Sequence, residues 1–149
     1  MIKKFLVLIV IVFTTNCGFT PIYSNKQNSN FSIEEIDIRG DRKFNNYLKS
    51  NLIKYRNVKS ERKISLDITT SYKKNTLSKD RTGKIVKYEL VVESIFVIKE
   101  NNQKLIFNQK KVLENMDNKS DERSYENSII QTFANIITNE LVQKLITMK

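Results

Sequence analysis

The sequence has no His, no Trp, one Cys, one Pro and three Gly in 149 residues. Without His there is no Ser-His-Asp or Cys-His nucleophile system and no imidazole metal site. A single Cys permits neither an internal disulfide nor a Cys-based zinc site. Three glycines at these spacings supply neither a GxGxxG dinucleotide loop nor a phosphate-binding P-loop. The length fits one domain. These absences point to a small protein that is not an enzyme and that uses no cofactor.

What the chain does have is positive charge: 26 Lys+Arg against 16 Asp+Glu, a formal net charge of +10. It holds 20 Lys, 17 Asn and 19 Ile but a single Ala, Ala134. The first three have A/T-rich codons, so genome composition accounts for part of the excess. A basic domain otherwise suggests nucleic acid, acidic lipid or another anionic ligand, and composition does not choose among them.

The N-terminus narrows the choice. Lys3 and Lys4 precede nine consecutive apolar residues, 5–13, followed by Thr14, Thr15, Asn16 and Cys17. A membrane-spanning helix needs about 20 apolar residues, so the run matches a secretory signal instead. The only Cys falls at the junction after that run, as in a bacterial lipoprotein signal, where the thiol is acylated and the chain is cut before it. Thr14 and Asn16 stand where such signals usually carry Leu and a small residue. An ordinary secretory peptide with an incidental Cys is the alternative. Loss of residues 1–16 removes two lysines and leaves a charge of +8. Export also argues against nucleic acid, and no aromatic RNA-binding motif or Cys/His finger restores that reading.

Residues 17–32 are polar, contain the only Pro, and read as a tether; residues 33–149 read as one domain. Ile33, Ile36 and Ile38 open a strand whose alternation falters at Glu34 and Glu35. Gly40 ends it, and Asp41 suits a helix N-cap. Phe44, Tyr47, Leu48, Leu52 and Tyr55 share one helical face, which predicts a helix over residues 42–56. Residues 64–72 alternate with period two and predict a strand. Residues 85–98 predict a second strand, about 46 Å long, which must bend or project beyond the helices. On period two, Val86, Tyr88, Leu90, Val92, Phe96 and Ile98 share its inner face. Asn101 and Asn102 suit a hairpin turn, and residues 105–113 return as the partner strand. Between the first two of these strands, residues 73–84 form the densest basic cluster, with Lys73, Lys74, Lys79, Arg81 and Lys84 against Asp80. Ser120 or Asp121 caps a final helix whose apolar stripe includes Tyr125, Ile129, Phe133, Ile136, Ile137, Leu141, Leu145 and Met148. The order β-α-β-β-β-α predicts an α+β two-layer sandwich: a mostly antiparallel four-stranded sheet with two helices on one face. Glu89 and Glu93 share the wet face of one strand, but at about 13 Å apart they exceed the roughly 5–9.5 Å of a catalytic carboxylate pair.

Three features together resemble the LptE family of outer-membrane lipopolysaccharide-assembly lipoproteins. The first is Cys17-Gly18-Phe19-Thr20-Pro21-Ile22-Tyr23, similar to the family's opening after its signal peptide. The second is Arg81-Thr82-Gly83 leading into Tyr88-Glu89-Leu90, like the family's basic-Gly turn before a long strand. The third is the element order, closed by a helix ending in residues 140–145. The resemblance implies a non-enzymatic protein anchored through a lipid on Cys17, on the periplasmic side of the bacterial outer membrane. It implies a plug inside an LptD-like β-barrel, which it helps to assemble, and contact with lipopolysaccharide. Arg81 matches the family's lipopolysaccharide-binding position; Lys79, Lys84 and Lys119 are candidates by proximity. The alternative reading is a free-standing periplasmic carrier of an anionic lipid or glycan.

Overall fold

The computed structural model describes residues 30–148, so Cys17, the signal region and most of the expected tether lie outside the described residues. Within them the apolar and polar alternation produces four strands and the 3.6-residue stripes two helices. The order is β1 (Ser32–Gly40), α1 (Arg42–Leu52), β2 (Lys63–Lys79), β3 (Ile85–Ile98), β4 (Gln103–Glu114) and α2 (Lys119–Thr147). This is the α+β arrangement read from the sequence. The sheet order is β1-β2-β3-β4, with β1 parallel to β2 and the other pairs antiparallel. Among the described residues no helix is long and apolar enough to cross a membrane.

One sheet face is buried and carries both helices. Leu66, Ile68, Leu90, Val92 and Phe96 on that face form a single core with Phe44 and Leu48 of α1 and Ile130, Ile137 and Leu141 of α2. The other face holds Asp67, Thr69, Lys73, Glu89 and Glu93, in register across the strands, as a half-wet antiparallel sheet requires. Phe31, inside the stretch read as tether, is fully buried and stacks on Tyr55 with ring centroids 5.9 Å apart.

The irregularities have local causes. The faltering alternation at Glu34 is a β-bulge: the β1–β2 register shifts between Ile33 and Glu35, and the extra residue restores the apolar positions beyond it. Gly40 closes β1 at φ 109°, where its backbone lies against Thr70. The Asp41 carboxylate accepts from the Phe44 amide at 2.8 Å, so the expected N-cap is in place. The first helix is shorter than its periodicity suggests. It stays α-helical to Leu52, continues as one 3-10 turn, Ile53–Tyr55, and stops before Asn57, whose φ is 58°.

β2 is longer than its alternation suggests. Residues 73–79 belong to the strand, not to a loop, because β3 offers backbone partners as far as Ile85. The second hairpin turns at Asn101 and Asn102, and Asn102 takes the positive φ that Asn tolerates. In α2 the cap is Asn118, which accepts from the Ser120 amide at 2.9 Å, rather than Ser120 or Asp121. The buried stripe runs through Ile130, Phe133, Ala134, Ile137, Leu141, Val142 and Leu145, while Tyr125, Ile136 and Ile146 are exposed. The last turn of α2 is fastened to the start of β2: the Arg62 guanidinium donates to Leu145 O at 2.8 Å and Met148 O at 2.7 Å. Asn30 donates to Ile146 O at 3.3 Å beside it.

Ser32 pairs with Lys63 at the first residue of β2, whereas the β2–β3 turn follows its last, Lys79. The 17 residues between extend roughly 50 Å. The chain thus enters the domain at the opposite end from the basic hairpin.

Candidate functional site

The β2–β3 hairpin carries three of the expected site residues. Its turn is organised by Asp80. One carboxylate oxygen accepts from the Thr82 hydroxyl at 2.6 Å, the Thr82 amide at 2.8 Å and the Lys84 amide at 3.0 Å. The Thr82 hydroxyl leads the effects holding this carboxyl below its ordinary range, aided by the two amides against some burial. Gly83 takes φ 84°, a conformation costly for any residue with a Cβ. The turn is therefore fixed by its own bonds and presents Arg81 at its corner.

Lys79, Arg81 and Lys84 are all exposed. Lys84 pairs with Asp117 at 3.1 Å, an exposed contact of little energetic weight. Lys79 and Arg81 form no salt bridge with the described residues. The Asn115 amide donates to Val86 O at 2.8 Å, so the β4–α2 connection is fastened to the base of the hairpin. That brings Lys119 to the same end of the molecule as Arg81.

Lys119 is engaged internally. Its ammonium donates to Glu122 at 2.7 Å, Asn115 Oδ1 at 2.7 Å and Met116 O at 3.1 Å, closing the first turn of α2. Glu122 also accepts from Lys74 at 3.0 Å. Lys74 bonds Glu126 at 2.9 Å and lies 3.9 Å from the centre of the Tyr88 ring. The Tyr72 hydroxyl donates to Glu126 at 2.6 Å.

These contacts set the charges. The Lys119 hydrogen bond is the main cause that draws Glu122 down to about 2; burial opposes it and Lys74 assists. Burial works against the Lys74 charge, but Glu126 and Glu122 outweigh it and hold the ammonium protonated above its ordinary range. Burial likewise opposes the Glu126 charge, and Tyr72 and Lys74 prevail, lowering its pKa. Burial first and Glu126 second raise the Tyr72 hydroxyl. Beside this network a groove of about 400 Å³ is lined by Lys43, Lys74, Lys119, Arg123, Glu122 and Glu126.

Sequence reasoning placed Lys74 with the solvated basic cluster and missed its structural role. The signal was available: Lys74 follows Ile68, Thr70 and Tyr72 at period two, so the strand carries it on the helix-bearing face. A cation there needs a carboxylate, and the first turns of α2 supply Glu122 and Glu126. Leu77, Ile85 and Val86 were also missed as exposed apolar residues, because the register shifts that expose them leave no trace in periodicity. Among the described residues no group of His, Cys, Asp and Glu is placed to hold a metal ion.

No family model and no curated protein sequence matches the chain. The chain is similar to the solved structure of rare lipoprotein B from Shewanella oneidensis, with a TM-score of 0.52 and 16% identity, over 75% of this chain and 93% of that one. The minor lipoprotein from Acinetobacter baumannii gives a TM-score of 0.49 and 14% identity, over 74% and 93%. Lipoprotein B from Nitrosomonas europaea gives 0.47 and 14%, over 79% and 83%. At these identities the likeness is one of fold, and the Shewanella structure carries it.

Proposed function

We propose that the chain is an LptE-type lipoprotein: acylated at Cys17, held on the periplasmic side of the outer membrane, seated in an LptD-like barrel, and in contact with lipopolysaccharide. The observation that carries this reading is the fold shared with rare lipoprotein B, over 93% of that solved chain. The opening Cys17-Gly18-Phe19 and the Arg81 turn add to it.

The geometry fits a plug. A bilayer with its headgroups is about 40–45 Å thick, and β2 alone extends roughly 50 Å. A domain entered by its tether at one end therefore presents its hairpin at the level of the far leaflet when it stands upright in a barrel. At the hairpin corner the Arg81 guanidinium offers a planar fork of donors to a phosphate, and among the described residues no carboxylate forms a salt bridge with it. Nothing in this role calls for bond-breaking chemistry.

Copurification from solubilised outer membrane tests the partner. An LptD-like barrel is expected in the purified complex, and its absence removes the plug. A soluble monomer that binds lipopolysaccharide alone indicates the free-standing carrier instead. For the ligand, Arg81→Asp is expected to weaken lipopolysaccharide binding about tenfold or more, the loss of a charge-assisted pair, with the melting temperature unchanged. Equal binding by both proteins takes Arg81 out of the site.

A further inference from the structure

The hairpin holds more than charge. Thr76 pairs with Tyr88 and Ser78 with Lys87, which leaves Leu77 as an extra residue on β2. Lys79 then pairs with Ile85, which leaves Val86 as an extra residue on β3. Two β-bulges thus face each other within four residues of the turn. Bulges re-aim side chains and sharpen twist. Here they interrupt the period-two pattern that would carry Val86 inward with Tyr88 and Leu90. The outcome is Leu77 at 51%, Val86 at 40% and Ile85 at 38% exposure. Single exposed apolar residues are ordinary, but these three fall at or beside the two bulges, and all three stay exposed among the described residues. Lys79 sits directly opposite Ile85, and the exposed Arg81 and Lys84 follow in the turn.

We infer that the hairpin tip is an amphiphilic contact for an anionic, acylated glycolipid. Leu77, Ile85 and Val86 meet the acyl chains, while Lys79 and Arg81 meet the phosphates. This rests on the reading of the hairpin as a lipopolysaccharide contact and adds a second, apolar half to it. The charge pattern argues for this occupant: exposed apolar side chains beside Lys79 and Arg81 complement a molecule whose phosphates adjoin its hydrocarbon. A bare oligosaccharide phosphate would need the cations alone. The tip also lies at the far end from the tether, away from the leaflet that a lipid on Cys17 would occupy.

The test compares the full chain with the double variant Leu77→Ser/Val86→Ser on three probes: purified lipopolysaccharide, its fully deacylated form, and vesicles of anionic phospholipid. The double variant is expected to lose roughly tenfold or more in affinity for the acylated glycolipid and nothing for the deacylated form. Arg81→Asp is expected to lose affinity for both. Ile106→Ser, on β4 and 52% exposed, serves as the control and is expected to match wild type. All four sites are exposed, so unchanged thermal melting accompanies the expected result. Full retention of glycolipid binding by the double variant overturns the apolar contact and leaves the Arg81 reading standing. Failure of the wild type to bind either glycolipid form removes the lipopolysaccharide reading itself. An equal loss with Ile106→Ser overturns the localisation to the tip. Equal affinity for phospholipid vesicles overturns the choice of glycolipid.

Discussion

Gly40 shows how much one position depends on a distant one. Its φ of 109° excludes a side chain on backbone grounds, and an added Cβ would collide with the Thr70 carbonyl. Gly40→Ala is expected to destabilise the fold by about 3 kcal/mol or more, read as a lower midpoint in urea denaturation with an unchanged slope. Gly83 makes the contrasting case: no atom lies within 4 Å of its added Cβ, so Gly83→Ala meets only the backbone cost, about 1 kcal/mol. The sequence displayed Gly40 as the end of a strand and Asp41 as a cap, since both are local signals. It did not display the pressure of Thr70, which arises from pairing 30 residues along the register. The turn that carries Arg81 was legible for the same reason as Asp41: Asp and Gly declare it over five residues. Lys74 was not, because its partners Glu122 and Glu126 lie 48 and 52 residues away.

At the scale of elements, β3 with both its ends and the core-facing half of β2 followed directly from alternation, and the far end of β2 did not. β2 runs on to Lys79 because β3 is there to pair with it, a tertiary effect on a sequence rich in Lys that has little strand preference of its own. The α2 stripe turned toward Ile130 and Ala134 because α2 packs on α1 as well as on the sheet; Ala134, the lone Ala, is fully buried. The Lys74–Glu122–Lys119 network joins β2 to the first turn of α2 and should be visible in acid. Glu122 titrates at about 2 in the fold, below its ordinary 4.5. A lowered carboxylate pKa stabilises the folded state fully above pH 4.5 and loses that contribution as pH falls toward 2. Glu122→Gln is therefore expected to lower the melting temperature at pH 6 and to converge with wild type near pH 2. Parallel curves across that range would show that the network is not coupled to folding.

At the scale of the whole molecule, polarity of placement matters more than total charge. The chain enters the domain at the Ser32 end of the sheet, and the turn with Arg81 stands at the other. Cys17→Ala is expected to abolish acylation and shift the protein from the membrane to the soluble periplasmic fraction, unless the barrel retains it; a wild-type mature mass without lipid would exclude the anchor. The same layout has a kinetic consequence. Phe31 and Leu145 lie in one core, and Arg62 and Asn30 bond the carbonyls of the final helical turn. The middle strands form from neighbouring hairpins, but β1 and α1 have no roof until α2 arrives. Closure of the core is therefore expected to wait for α2. A chain cut before α2 is expected to lack its core partners from that helix and to be digested faster than the full chain in limited proteolysis; equal resistance would show that the sheet and α1 close without α2.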